Sequence, residues 1–313
     1  MPSRSVIVFG PTGAVGSATA RAAHQNGAKV ALAMRDTSKP IPGLDPSEEN
    51  TDGYQRVQAD LSQPYTIRAA VSQTGAKHAF IYMIFGSSDH MRASIEALKD
   101  AGIESVVLLS SLGVQGDLRA ASPDDLISYA HAQVEIHLEE VFGKENFIAV
   151  RPAFFASNSL WWARPIATTA EVQVSFPDVK FDYISPEDIG AVSGAFLSGA
   201  AQLDEQDNFV YLVGPEMLSV REAIGVIARV VGKDVTVETV NDEECLQALI
   251  TKSGLPEPLA KHLMSNFADM REGRGFFGSA DLSPYQANIE RYVRRPSAKF
   301  EQWVEENKEK FTS

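Results

Sequence analysis

The sequence predicts a doubly wound α/β fold, a mainly parallel sheet covered by helices on both faces, with a smaller C-terminal α/β part. Short apolar runs of strand length alternate with helix-like stretches up to residue 152. A glycine-rich turn, Gly10-Pro-Thr-Gly-Ala-Val-Gly16, joins the first such run to the first helical stretch. The alternation then breaks after Arg151-Pro152 into aromatic and proline-containing stretches. Buried strands alternating with helices need both sheet faces covered, which is the parallel arrangement.

Each element follows from its own pattern. Val6-Ile-Val-Phe9 is an apolar strand ending in glycine, Thr12 to Asn26 reads as a helix, and Lys29-Val-Ala-Leu-Ala-Met34 is the second strand. Further strands are expected at Tyr54-Gln-Arg-Val57, His78-Ala-Phe-Ile-Tyr-Met83, Ser105-Val-Val-Leu-Leu109 and Asn146-Phe-Ile-Ala-Val150. Residues 1–152 are therefore expected to form a nucleotide-binding domain, and residues 153–313 mainly a substrate-binding or lid part, with later segments returning to the first. In that second part a strand is predicted at Phe209-Val-Tyr-Leu-Val213. A helix follows from Ser219 to Val231, with Ser219 as N-cap and Gly232 as its stop, and then a strand at Val235-Thr-Val-Glu-Thr239. Met264 to Gly278 reads as a mobile connection or lid, and Ser297 to Phe311 as a charged closing helix.

Composition narrows the function. The chain has 313 residues, 44% of them hydrophobic, enough for a substantial core. Its 41 acidic against 28 basic residues give a net charge of -13, which repels a phosphate backbone and argues against nucleic acid as partner. Cys245 stands alone, so no intrachain disulfide or cysteine metal cluster is available, and a reducing compartment, the cytoplasm, is expected. The histidines lack the spacing typical of zinc, no serine sits in a G-x-S-x-G elbow, and no segment has the length to span a bilayer.

The glycine turn carries the first chemistry. Glycines at these positions permit a tight turn and close approach of a pyrophosphate, while the helix N-terminus offers free N–H groups to its charge. Gly10, Thr12, Gly13, Ala14, Val15 and Gly16 are thus the expected phosphate-binding residues. At the end of the second strand an acidic residue would select NAD, and an arginine the 2′-phosphate of NADP. Arg35 occupies that end with Lys39 close behind, which favours NADP(H), while Asp36 is an acidic alternative one residue further on. Asp60-Leu61 after the third strand and Ile81, Tyr82 and Met83 at the end of the fourth complete the carboxyl edge where ligands bind, with Met83 the expected cofactor contact; these apolar residues read equally as core, Ile81 above all.

These motifs, with Ser110-Ser111, Arg151-Pro-Ala-Phe-Phe155, Tyr183-Ile-Ser-Pro-Glu-Asp-Ile-Gly190 and Tyr211-Leu-Val-Gly-Pro215, resemble the NmrA-like family of atypical short-chain dehydrogenases/reductases. The resemblance implies a Rossmann-type domain binding NADP(H) and a smaller C-terminal part closing over substrate. Members divide between reductases of aromatic or alkaloid-like metabolites, redox sensors that bind a protein partner, and proteins using the scaffold for other chemistry.

In the wider superfamily a tyrosine donates the proton and a lysine four residues on lowers its pKa. Tyr129 is followed at that spacing by Gln133, which is neutral and cannot act by charge. The resemblance also implies a glutamate four residues after the lysine, and Glu135 then puts His131 in the lysine slot and Ile127 in the tyrosine slot. Helical spacing places Ile127, Ala130, Val134, Leu138 and Val141 on one apolar stripe beside His131, with Tyr129 and Gln133 on other faces. His131 is either a cofactor-binding and acid–base residue or a core histidine. Ser111 and Tyr129 are the other catalytic candidates.

Phe154, Phe155, Trp161, Trp162, Phe276 and Phe277 suit a flat apolar substrate, though such rings also build cores. Three functions fit. One is an NADP(H)-dependent reductase acting on a medium-sized apolar or aromatic metabolite. Another is a non-redox enzyme, for addition, cyclisation or isomerisation, with NADP(H) as scaffold. The third is an NADP(H)/NADP ratio sensor that binds a regulatory protein.

Overall fold

The computed structural model describes residues 3–49, 53–203, 207–273 and 281–312. Its strands are β1 (Ser5–Phe9), β2 (Lys29–Met34), β3 (Tyr54–Gln58), β4 (His78–Tyr82), β5 (Ser105–Leu109), β6 (Phe147–Pro152), β7 (Glu171–Val174), β8 (Lys180–Phe181) and β9 (Phe209–Leu212). Two more follow, β10 (Leu218–Ser219) and β11 (Thr236–Thr239). Seven of them form one sheet in the order β3-β2-β1-β4-β5-β6-β9, with every pairing parallel. The order reverses at β1, between β2 and β4, which makes the carboxyl ends of β1 and β4 the topological switch point where such sheets bind ligands. This is a Rossmann-like doubly wound sheet.

The chain divides into two compact units. One comprises Met1–Pro152, Pro186–Leu212 and Ala287–Pro296, and the other Ala153–Ser185, Val213–Gln286 and Ser297–Ser313. The first contains the sheet and helices α1 (Ala14–Gln25), α2 (Pro46–Glu49), α3 (Pro64–Thr74), α4 (Arg92–Asp100) and α5 (Leu126–Phe142). After α6 (Ala163–Thr168) in the second unit, α7 (Pro186–Ser198) returns to the first. The segment Phe209–Val213, grouped by its sequence with the irregular second part, supplies β9 to the main sheet at Phe209–Leu212.

Helix α7 packs on α1 through small residues. A Cβ added at Gly190 would stand 2.3 Å from Ala18 Cβ, and one at Gly194 would stand 2.6 Å from Ala22 Cβ. Neither position tolerates even a methyl group without the helices parting. Near the start of α7 the buried Asp188 accepts from Arg295 at 2.6 Å, joining the returning helix Asn288–Val293 to this layer.

In the second unit β7 pairs with β11 in parallel and β8 with β10 antiparallel. Helix α8 (Val220–Val231) starts and stops where its sequence says: Ser219 and Glu222 close a capping box, and Gly232 ends it at φ +71°. Phe154 is stacked on Phe181 at 4.0 Å and lies edge-on to Tyr183 at 5.4 Å. Asp182, fully buried, fastens two segments, since its carboxylate oxygens accept from Phe154 N at 2.9 Å and Gly214 N at 2.7 Å. Burial pushes its carboxyl up to about 7, while those same bonds pull the other way.

Two expectations need correction. Met264 to Arg271 is not a loose connection but the second half of α10 (Glu257–Arg271), whose buried Ala260, Leu263 and Met264 pack with Leu249 of α9 (Asp242–Thr251) and with Leu255. Residues 274–278 of the expected lid lie outside the described residues. The closing helix is shorter than expected, Phe300–Glu306 followed by a 3₁₀ turn at Lys308–Phe311. No helix among the described residues is long and apolar enough to cross a membrane.

Candidate functional site

At the switch point a cleft of about 320 Å³ opens among the carboxyl ends of β1 to β4. Its glycine turn is fixed by sterics. Gly10 has φ +70°, and a Cβ at Gly16 would fall 2.2 Å from Gly10 O, so the helix can approach the strand end only with glycine there. Helix α1 begins from an exposed Gly13 with no side-chain cap and no acidic residue in its first turn. Its opening N–H groups and its dipole therefore remain for an anion. Thr12 and Ala14 are exposed on this turn, whereas Val15 and Gly16 are buried beneath it.

Of the residues expected at the cofactor, Gly10, Thr12, Arg35, Asp60, Leu61 and Met83 line this one cleft. Lys39 is exposed but does not line it; its backbone carbonyl accepts from Arg56. Arg35 is exposed, and its guanidinium has no partner among the described residues. Asp36 is committed elsewhere: Oδ1 accepts from Ser38 N at 3.0 Å and Ser38 Oγ at 2.6 Å. Those bonds hold its carboxyl below the usual carboxylate range. Asp60, just beyond the end of β3, makes the same turn with Ser62, at 2.9 Å and 2.7 Å. The donor set of a free guanidinium, an uncapped helix start and a glycine cradle fits a phosphorylated dinucleotide, and it fits a 2′-phosphate better than a bare ribose.

Seven wall residues lie outside the expected cofactor edge, Ser62 and Phe85 among them, and Tyr82, which the sequence leaves open between ligand edge and core, stands in the wall with them. Tyr82 ends β4, and its ring lies against the glycine turn, so that a Cβ at Gly10 would meet Tyr82 Cε1 at 2.6 Å. Burial pushes its phenol up; Arg35 pulls it down and Asp60 adds to the rise. The sequence signal was available, for Tyr82 is the last residue of a strand beside β1, but an aromatic there reads equally well as core.

Helix α5 carries the residues expected at the tyrosine and lysine slots. Ala130, His131, Val134, Glu135 and Leu138 are buried along it, while Tyr129 and Gln133 are only half-buried. Tyr129 meets His90 edge-on at 5.6 Å. His131 is 9% exposed, and its Nδ1 is buried with no hydrogen-bond partner among the described residues. Desolvation lowers its pKa to about 4. The imidazole is therefore neutral near pH 7 and makes no bond that would fix its tautomer, a poor setting for a proton store. The exposed ring of Phe85 faces it edge-on at 6.4 Å, which ties the β4–α4 loop to α5.

Glu135, one turn along, is fully buried and pairs with Arg151 through Nη2 at 2.5 Å and Nε at 3.1 Å. Ser110 donates to the same carboxylate at 2.5 Å. Arg151 also reaches Tyr211 Oη at 3.2 Å and lies 4.1 Å over the Phe209 ring. Tyr211 Oη donates in turn to Val114 O or Gln115 Oε1, at 3.2 Å and 3.0 Å. One network thus joins β5, β6, β9, α5 and the 110–115 loop. The sequence displayed each residue in its motif but not the pairing of Glu135 with Arg151, because their contact crosses from helix to sheet. Ser111 is outside this network, accepting from Gly113 N at 3.2 Å, so its own proton is available.

The aromatic candidates of the second unit separate. Phe154 belongs to the core cluster together with the buried Trp162, and the half-buried Trp161 packs against the same cluster. Trp161 and Trp162 share a small apolar crevice of about 20 Å³, room for about one water. Phe155 is half-buried, and Phe276 and Phe277 lie outside the described residues.

A seven-stranded parallel sheet with an uncapped helix start at its switch point defines a nucleotide-binding α/β protein of the Rossmann class. The chain belongs to the NmrA-like family, whose sequence profile matches residues 2–304. It is 38% identical to "Nitrogen metabolite regulation-like protein bik4" of Gibberella fujikuroi, over 97% of each chain. It is 27% identical to an NAD(P)H azoreductase of Xenophilus azovorans, over 84% of this chain and 86% of that one. Among solved structures, an NADPH-dependent quinone oxidoreductase of Escherichia coli superposes with a TM-score of 0.70 at 18% identity, covering 97% and 99% of the two chains.

Proposed function

We propose that this protein is an NADP(H)-dependent reductase acting on a medium-sized, largely apolar or aromatic small molecule. The carrying observation is Arg35: an exposed, unpartnered guanidinium at the end of β2, in the cleft with the glycine turn, beside an Asp36 carboxylate already bound by Ser38. Gly10, Thr12, Gly13 and the first N–H groups of α1 would hold the pyrophosphate, and Arg35 the 2′-phosphate. The names of the azoreductase and quinone oxidoreductase relatives agree with hydride chemistry on flat acceptors.

When bound, NADPH supplies the hydride, so the chain's residues have only to seat the acceptor and settle one proton. A neutral His131 can exchange a hydrogen bond with a ribose or substrate hydroxyl without storing a proton. Ser111 can donate its free hydroxyl proton to a carbonyl oxygen as a hydrogen bond, and water delivers the proton that is consumed. Neither Tyr129 nor Gln133 enters this scheme. Substrates whose reduction needs no strong protein acid, such as quinones or conjugated acceptors, suit such a site best.

Calorimetry tests the cofactor directly. Arg35→Ala should weaken NADPH by about 30-fold, the weight of a charge-assisted contact of ~2 kcal/mol, and leave NADH within about twofold. Equal losses for both would remove Arg35 as selector. NADPH absorbance with a panel of quinones and azo compounds tests turnover, and product mass distinguishes reduction from addition, cyclisation or isomerisation.

A second reading is favoured by the name of the 38% identical relative, which speaks of regulation, and by the missing tyrosine–lysine pair. It is a ratio sensor that binds NADPH and NADP with different affinity and signals to a regulatory protein. Equal affinities for the two would sink it, because a ligand without differential affinity shifts nothing.

A further inference from the structure

We propose that Tyr82 is a cofactor-selecting residue of this chain: its ring is the platform over Gly10 on which the dinucleotide rests, and its hydroxyl works with Arg35 in recognising the adenosine phosphate side. The inference rests on the NADP(H) reading above and adds a residue to it.

Four observations converge. Tyr82 is the last residue of β4, the strand next to β1, so it stands at the switch point itself. It is 37% exposed between the buried Ile81 and Met83, and it lines the cleft. Its ring edge touches the face of Gly10, the residue whose φ of +70° starts the phosphate turn. Finally, the phenol lies within electrostatic reach of Arg35 and Asp60, the two charged residues of the cleft wall.

The chemistry of this group is specific. A tyrosine offers a flat apolar face to a ribose or base and one hydroxyl donor to an anion. With the Ser62 hydroxyl spent on Asp60, the side-chain donors lining the cleft are the Arg35 guanidinium and the Thr12 and Tyr82 hydroxyls, and Arg35 and Tyr82 are close enough to feel each other's charge, so one bound phosphate could engage both. Glycine at position 10 serves both turn and ring, since any side chain there would push the ring out of the cleft.

The test is a titration series on the full chain with NADPH and NADH, read by calorimetry, with thermal melts confirming that each variant folds. Tyr82→Phe keeps the platform and loses the hydroxyl, so NADPH should weaken about tenfold with NADH nearly unchanged. Tyr82→Leu loses both face and hydroxyl and should weaken both dinucleotides. In a double-mutant cycle, Tyr82→Phe should cost less in the Arg35→Ala background than in the wild type, because the two donors share one phosphate. Unchanged affinities for both variants overturn the proposal. So does tighter binding by Tyr82→Leu, which would mean that the ring competes with the dinucleotide for the space over Gly10. Wild-type protein that fails to bind NADPH sinks the functional reading itself, whereas wild-type binding with indifferent Tyr82 variants sinks only the platform.

Discussion

His131 shows how burial rewrites a side chain's chemistry. In the unfolded chain it titrates at about 6.5, and in the fold at about 4. Between these values only the unfolded chain holds the proton, so the folded state is fully favoured above about pH 6.5 and loses that advantage as pH falls toward 4. The difference is about 3 kcal/mol. His131→Phe should remove this slope and also relieve the orphaned Nδ1, giving a protein more stable at pH 5 than the wild type. Urea unfolding at pH 5 and pH 7 decides it, and an unaltered slope would mean that His131 is not sealed. At the buried pair, by contrast, replacing one partner is destabilising. Glu135→Gln leaves the Arg151 charge without its counter-ion and should cost about 3–5 kcal/mol, while Glu135→Leu with Arg151→Met should fold at near wild-type stability. Equal destabilisation by single and double variants would refute a charge penalty. The sequence could place His131 and Glu135 on one helix face by counting turns, but it could not reveal that the face meets a guanidinium from β6, nor that the imidazole nitrogen finds nothing. Those are properties of contacts between distant segments.

At the scale of elements, the strands of the sheet were legible because fully buried parallel strands are continuous apolar runs bounded by glycine and polar turns. Lys29–Met34 and Ser105–Leu109 match to the residue. Helix α8 was legible from its cap and its stop. Helix α10 was not, since its Phe, Met and charged residues lack a clean apolar stripe and packing alone decides their state. The α1–α7 contact was hidden too, because Gly190 and Gly194 in isolation resemble helix weaknesses rather than a close-packing face. Gly194→Ala is therefore expected to destabilise by about 1–3 kcal/mol through overpacking, despite alanine's better helix propensity. Gly225→Ala on α8, where an added Cβ meets nothing within 4 Å, should stabilise by about 0.5–1 kcal/mol. Thermal melts of the two variants should move in opposite directions, and a shared direction would contradict the packing described.

For the molecule as a whole, one buried group in each unit pulls stability in opposite directions with pH. The first holds His131, with His78 and His137 also lowered chiefly by desolvation, so its stability rises with pH through the mildly acidic range. The second holds Asp182, raised to about 7. Its advantage is complete below about pH 4 and fades as pH climbs to 7, because there only the folded state keeps the proton. Amide exchange, corrected for intrinsic rates, should show protection growing from pH 4.5 to 6.5 around α5 and declining over the same window around β8 and residue 214. Parallel trends would show that Asp182 is ionised throughout.

The sheet's edge strand β9, its covering helix α7 and the returning segment Ala287–Pro296 all come late in the chain. During synthesis the first 152 residues therefore leave the ribosome with β6 as an unpaired edge and the Ala18–Ala22 face of α1 uncovered. Native packing of the nucleotide-binding unit must wait for segments made after much of the second unit, and in that interval the open edge of β6 is the place where mispairing is to be expected.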